Sequence, residues 1–115
     1  MKRGLLIAVN GNSVFGPGIV DIYDLTADCR KPALKSSTLV AMLGHESGLS
    51  ADGLTFYAAA PSVPALTAVD ISNPSLPRPV WLGSTSSHGL SLSADGTRAY
   101  IADTADGGKL KILDV

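Results

Sequence analysis

The sequence has little of what several classes of protein depend on. It contains one cysteine among 115 residues, and only 17% of its residues are charged. Cys29 has no second cysteine to pair with inside the chain, so a small disulfide-linked fold is excluded. The nine basic and ten acidic residues almost cancel, to a net charge of −1. A chain without a strong electrostatic field is not expected to bind nucleic acid.

Long apolar runs are also absent. The run from Leu5 to Val9 follows Lys2 and Arg3, but it ends at Asn10. The apolar part of a secretory signal takes about 7–15 residues, and a helix that crosses a bilayer takes about 20. We therefore expect no signal peptide in this chain and no insertion into a membrane.

Apolar residues and turn-forming residues are plentiful instead. Hydrophobic residues make up 45% of the chain, and its 12 glycines and 7 prolines occur among many serines and threonines. This composition supplies a buried core, which argues against disorder, and frequent turns are typical of short β-strands. No amphipathic helix pattern is visible. The sequence predicts an all-β chain.

One segment of the sequence returns 43 residues later. Residues 44–53 read Gly-His-Glu-Ser-Gly-Leu-Ser-Ala-Asp-Gly, and residues 87–96 read Ser-His-Gly-Leu-Ser-Leu-Ser-Ala-Asp-Gly. The match continues without a gap to Ala60 and pairs Tyr57 with Tyr100. A period of about 40–45 residues is that of a four-stranded β-propeller blade.

A second element occurs three times and ends each time on an aspartate. It reads Val-Asp-Ile-Tyr-Asp at 20–24, Leu-Thr-Ala-Val-Asp at 66–70 and Leu-Lys-Ile-Leu-Asp at 110–114. Apolar first and third positions are typical of a strand with one buried face. Asp24, Asp70 and Asp114 stand where each strand should turn. We interpret them as turn-capping residues rather than as calcium ligands or acid–base groups.

These patterns predict ten short strands in three units. The strands are expected near residues 4–9, 18–24 and 38–43, then 46–50, 55–59, 66–71 and 79–82, and finally 89–93, 97–102 and 109–115. Residues 1–115 then form one incomplete β-propeller domain of antiparallel, four-stranded blades. Its expected parts are a first blade remnant at 1–43, a blade at 44–83 and a third remnant at 84–115.

The repeated Ser-Ala-Asp-Gly sequence is predicted to form a tight turn between paired strands. An aspartate there accepts backbone hydrogen bonds, and the following glycine takes a positive φ. The residues assigned to these turns are Asp52, Gly53, Asp95 and Gly96.

The segment around the middle aspartate resembles a known repeat. After Asp70 come Ser72, Pro74 and Pro77, and this order is similar to the repeat of the LVIVD-repeat family of propeller proteins. The copy after Asp24 keeps Pro32 but lacks the Ser-x-Pro step. The resemblance implies a β-propeller and implies no activity, because the family is largely without an assigned one.

The number of blades is too small for a closed ring. Propellers close with about four to eight blades, and this chain contains about two and a half. We therefore expect a fragment of a larger propeller, or a chain that associates with itself through exposed blade flanks. The expected partners are further blades or another protein.

His45 and His88 are the candidate site residues, and two interpretations of them are open. One histidine from each blade would form a metal or substrate site at the rim of the channel. Alternatively, each histidine would bond a neighbouring turn, as in the WD-type repeats that Gly44-His45 resembles. Repeated residues are first explained by repeated structure, so we predict no catalytic residue, no metal and no cofactor.

Three functions compete at this stage. The leading one is a non-enzymatic scaffold that presents loops for binding a protein or a ligand. The alternatives are a piece of a propeller enzyme (lactonase-like, quinoprotein-like or a metal-dependent oxidase) with histidines in its channel, and an extracellular surface or adhesion array. The full-length protein is expected to be extracellular or periplasmic. Polar residues that break the repeat at the channel rim in the missing blades would favour the enzyme, and faithful repetition there would favour the scaffold.

Overall fold

The computed structural model describes residues 3–11, 18–105 and 107–115 of the chain. In these ranges all regular structure is β-strand, which confirms the predicted all-β class. The described residues accordingly include no helix with the length and hydropathy of a membrane span. The strands are β1 (Leu5–Asn10), β2 (Gly18–Asp24), β3 (Ala33–Ala41), β4 (Gly48–Leu49), β5 (Thr55–Ala60), β6 (Ala65–Asp70), β7 (Arg78–Gly83), β8 (Ser87–Leu92), β9 (Arg98–Asp103) and β10 (Lys109–Asp114).

Nine of the ten strands differ from the prediction by at least one residue at an end, and β3 and β4 differ most in length. β3 begins at Ala33 rather than at residue 38, because it pairs with β2 back to the Ala33–Asp24 pair. β4 contains only Gly48 and Leu49, which pair with β5. Residues 1, 2 and 12–17, which belong to the first predicted unit, lie outside the described ranges.

The described strands form three antiparallel sheets in which neighbours in sequence are neighbours in space. The N-terminal sheet has the order β1-β2-β3, the central sheet β4-β5-β6-β7 and the C-terminal sheet β8-β9-β10. Antiparallel neighbours need only short hairpin connections, as the turn between β8 and β9 shows.

The central sheet is covered on both faces. Successive side chains of a strand point to opposite faces, so Phe56 and Tyr57 enter different cores. The first core joins Phe56, Ala58 and Val69 of the central sheet, and Ile71 directly after β6, to Val20, Ile22, Val40 and Ala41 of the N-terminal sheet. The second core joins Tyr57, Leu66 and Ala68 to Ala99 and Ile101 of the C-terminal sheet.

Each flanking sheet leaves its outer face open. On the C-terminal sheet Tyr100 pairs with Ile112 and Ala102 pairs with Leu110, which places these four side chains on one face. Tyr100, Ile112 and Leu110 are 38%, 53% and 69% exposed. On the N-terminal sheet Leu6, which pairs with Tyr23, is likewise exposed.

Candidate functional site

The two Ser-Ala-Asp-Gly turns have the same hydrogen bonds. Asp52 Oδ1 accepts from Ser50 Oγ at 2.6 Å and from the backbone N–H of Leu54 at 2.9 Å. Asp95 Oδ1 accepts from Ser93 Oγ at 2.5 Å and from the backbone N–H of Thr97 at 3.1 Å. The glycines that follow, Gly53 and Gly96, have φ values of +74° and +73°. In this structure these four residues hold turns.

The aspartates that end the second repeated element lie on different sheets. Asp24 Oδ1 accepts from the N–H and Oγ1 of Thr26, at 2.8 and 2.6 Å, and the hydroxyl bond lowers the pKa of Asp24 most. Asp70 accepts from the N–H of Ser72 at 2.9 Å and pairs with Arg78 at 3.0 Å. Asp114 is exposed and lies 3.7 Å from Arg98. These three carboxylates are not brought together.

The two histidines, by contrast, are brought together. Their ring centroids are 4.4 Å apart with the planes tilted by 55°, and His45 Nδ1 lies 2.9 Å from the backbone oxygen of His88. A carbonyl oxygen only accepts hydrogen bonds, so Nδ1 carries the proton. Each histidine precedes or begins the first strand of its sheet, and the site therefore lies where the central and C-terminal sheets meet.

A backbone contact between residues related by the sequence repeat aligns the two histidines. Glu46 and Gly89, which the 43-residue match places at the same position, form an isolated parallel β-bridge. A Cβ on residue 89 would lie 2.6 Å from Glu46 Oε2 and 3.0 Å from its Cβ. Glycine at position 89 therefore leaves room for the side chain of Glu46.

Glu46 is the site residue that sequence reasoning missed. Its Oε2 lies 4.0 Å from His88 Nδ1. One nitrogen from each histidine and one Glu46 oxygen lie within 4.8 Å of one another, and all three residues are exposed. Among the described His, Cys, Asp and Glu side chains this is the single group of three with such spacing. The signal available in the sequence was that the 43-residue repeat aligns charged Glu46 with Gly89.

The histidines also line a cleft of about 330 Å³. Its other walls come from the segments after β1, β3 and β5, so each sheet contributes to it. The lining residues are Gly11, Leu43, Gly44, His45, Pro61 and His88. The cleft thus offers imidazole nitrogens against a mainly small and apolar wall, which suits a small ligand or a short loop of a partner.

A second described cavity is apolar and lies between β3 and β7. This groove of about 350 Å³ is lined by Leu39, Val40, Ala41, Met42, Thr67, Pro79 and Leu82. The nearby Trp81 is 47% exposed, and its ring covers Gly83. Met42, which lines the groove, is likewise about half exposed.

An ion pair between a buried carboxylate and a partly exposed lysine links β9 and β10 of the C-terminal sheet, and it was not predicted. Asp103 is 3% exposed, and its carboxylate pairs with Lys111, whose Nζ also lies 3.0 Å from Thr85 Oγ1. The hydrogen bond from Lys111, followed by that from the N–H of Ala105, lowers the pKa of Asp103. Residues 103 and 111 correspond to Ala60 and Thr67 of the central sheet, so this pair also departs from the repeat.

Cys29 is exposed. It follows Asp28, which forms an ion pair with Arg30 at 3.1 Å. The structure gives this thiol no role in the cleft.

Comparison with known proteins does not extend this description. No protein-family model and no curated protein matches the chain.

Proposed function

We propose that this chain is a run of propeller-like blades that works as a binding scaffold. Its two outer faces receive further sheets of the same kind, and the cleft lined by His45 and His88 holds a loop or a small ligand. The resemblance of residues 66–77 to the LVIVD repeat belongs to this proposal and rests on the sequence alone.

One observation carries the proposal. Residues that the repeat relates form a covered face on the central sheet and an open face on the C-terminal sheet. Tyr57, Ala59, Leu66 and Ala68 form the face of the central sheet that the C-terminal sheet covers. The repeat relates these residues to Tyr100, Ala102, Leu110 and Ile112, which form the open face of the C-terminal sheet. Leu66 is 0% exposed and Leu110 is 69% exposed.

The opposite face supports the same arrangement. Phe56 pairs with Val69 in the central sheet, and both side chains are buried against the N-terminal sheet. The corresponding pair in the N-terminal sheet is Leu6 and Tyr23, and Leu6 is 46% exposed. Each sheet therefore has one face suited to pack on the sheet that precedes it in the sequence. Its opposite face is suited to be covered by the sheet that follows.

A scaffold function follows from this regularity. Stacked sheets that contact their neighbours form a support that places equivalent loops at the same edge. The loop before β4, the loop after β5 and the start of β8 meet at the cleft. Binding residues carried by loops on a rigid support are a common arrangement in proteins.

The test is association of the isolated chain in solution. Uncovered apolar faces favour self-association, so sedimentation velocity should show concentration-dependent oligomers at micromolar concentration. The double change Leu110→Lys and Ile112→Lys should weaken this association at least tenfold. The control Leu76→Lys changes a loop leucine that is 70% exposed, about as much as Leu110, and should leave association unchanged.

Two results would count against the scaffold proposal. One is a compact monomer across the micromolar range for the unmodified chain. The other is an equal loss of association for the Leu110 and Ile112 double variant and the Leu76 control, which would indicate nonspecific stickiness rather than a built face.

A further inference from the structure

We propose that His45, Glu46 and His88 form a binding site for a divalent transition-metal ion such as Zn²⁺. The inference goes beyond the scaffold function and does not depend on it, because the three residues lie at the rim and not on the outer faces.

The donor set matches the chemistry of these ions. Zinc takes imidazole nitrogen and carboxylate oxygen, and sites with three protein ligands keep a fourth position open for water or a ligand. Two imidazoles and one carboxylate are such a set, and both histidines line the cleft. Calcium and magnesium are disfavoured, since they prefer oxygen donors alone.

The composition of the group is its most specific feature. The chain has two histidines, His45 and His88, and Glu46 is its one glutamate. One possible ligand atom from each residue lies within 4.8 Å of the other two, although His88 is distant in sequence from His45 and Glu46. The nine aspartates of the chain contribute nothing to this group where they are described, so the cluster is not a by-product of a generally acidic surface.

The distances are close to those that an ion imposes. Zn–N bonds of about 2.0–2.1 Å and Zn–O bonds of about 2.0–2.2 Å place two donors about 3.4 Å apart in a tetrahedral site. His88 Nδ1 and Glu46 Oε2 are 4.0 Å apart. The side chains must move together by roughly an ångström, which exposed side chains achieve by ordinary rotamer motion.

The backbone prepares one ligand for this role. The hydrogen bond from His45 Nδ1 to the carbonyl of His88 fixes the ring and leaves Nε2 with the free lone pair in the neutral imidazole. Metal-binding histidines commonly donate their other ring N–H to such a carbonyl. Gly89 completes the preparation by admitting the Glu46 side chain beside His88.

The site has a purely structural alternative, in which the histidines only pack on each other. Under that reading, changes at Glu46 or His88 would alter stability slightly and the chain would bind no zinc. Under the metal reading, zinc binds and each ligand is required.

Isothermal titration of the full, tag-free chain with ZnCl₂ separates these readings. The experiment uses a Cys29→Ser background, which removes the one thiol. We expect one Zn²⁺ per chain with micromolar affinity. His45→Gln, Glu46→Gln and His88→Gln should each weaken binding at least tenfold, whereas the control Asp114→Asn removes an exposed carboxylate elsewhere and should leave it unchanged.

Imidazole NMR supplies a second readout that does not depend on how well a variant folds. With two histidines in the chain, sub-stoichiometric Zn²⁺ should shift or broaden both sets of ring signals in the unsubstituted protein. The proposal is overturned by an absence of binding at micromolar zinc, by unchanged ring signals, by unchanged affinity in Glu46→Gln and His88→Gln, or by one ion shared between two chains. None of these outcomes bears on association through Leu110 and Ile112.

Discussion

At the scale of single residues, the hydrogen bonds of the Ser-Ala-Asp-Gly turns explain why these residues form turns. Ser93 Oγ donates to Asp95, and it also accepts from the N–H of Arg98 at 2.9 Å across the turn. The serine therefore links the aspartate to the start of the next strand. Gly96 takes the left-handed conformation that a side chain would make strained.

These turns predict a specific response to acid. Hydrogen bonds from Ser93 and then Thr97 lower the pKa of Asp95 to about 2, from an ordinary value of 3.8. A carboxyl group whose pKa is lower in the folded state contributes stability above its unfolded pKa and loses it as pH falls through the folded value. Asp95→Asn should therefore flatten the decline in unfolding free energy between about pH 4 and pH 2, as measured by urea unfolding.

The matched control for this measurement is Asp114→Asn. Asp114 is exposed and 3.7 Å from its nearest cation, Arg98, with no such turn around it. Its variant should keep the acid dependence of the parent chain. An identical pH profile for the Asp95 variant and the parent would show that the turn does not hold the carboxylate ionised.

Sequence reasoning reached these turn residues but not Glu46. A turn is local, so its chemistry can be read within four positions. The place of Glu46 depends on a contact with Gly89 on another sheet, and the repeat shows only that these two positions carry different residues. The repeat identified His45 and His88 as candidates. The short distance between their rings results from how the central and C-terminal sheets pack.

At the scale of strands and sheets, alternation predicts where strands lie better than where they end. β6 and β9 alternate or repeat clearly and fall close to their predicted positions. The first part of β3 carries Lys35, Ser36 and Ser37, whose polarity gave no signal. Its extension comes from pairing with β2, which is a tertiary influence on an edge strand.

The ion pair of Asp103 and Lys111, which departs from the repeat, can be tested by substitution. Lys111→Thr alone leaves the buried carboxylate of Asp103 without its cation and should destabilise the chain. Asp103→Ala alone should cost less, because the Lys111 side chain is 41% exposed and stays solvated. The double change gives the residues present at the corresponding positions 60 and 67 of the central sheet and should recover most of the loss of Lys111→Thr, since no buried charge then remains.

Urea unfolding of the parent, both single variants and the double variant measures this coupling. Additive losses would mean that Asp103 and Lys111 act independently and that the contact between them contributes nothing of its own.

At the scale of the whole molecule, the three sheets differ in how completely they are covered. The sequence identifies which positions face the same way, because alternation fixes faces. It does not show which of two apolar faces has a neighbour, and for that reason Leu66 and Leu110 have the same sequence signature in different surroundings.

A pair of leucine substitutions makes that difference measurable. Leu66→Ala removes a fully buried side chain and should cost about 2–5 kcal/mol of unfolding free energy. Leu110→Ala, at the corresponding exposed position, should change it by less than about 0.5 kcal/mol when measured at concentrations too low for association. Equal losses would show that the outer face is already covered within one chain.

The two open faces of the molecule are not alike, and this constrains any assembly of identical copies. The face that carries Leu6 corresponds to one that covers a predecessor, and the face that carries Leu110 corresponds to one that is covered by a successor. Copies joined through them would contact head to tail rather than by a twofold axis. A head-to-tail contact is heterologous, so it either returns to its start as a ring of fixed size or continues as a helical filament. The rotation from one sheet to the next would decide between a bounded particle and open-ended polymerisation.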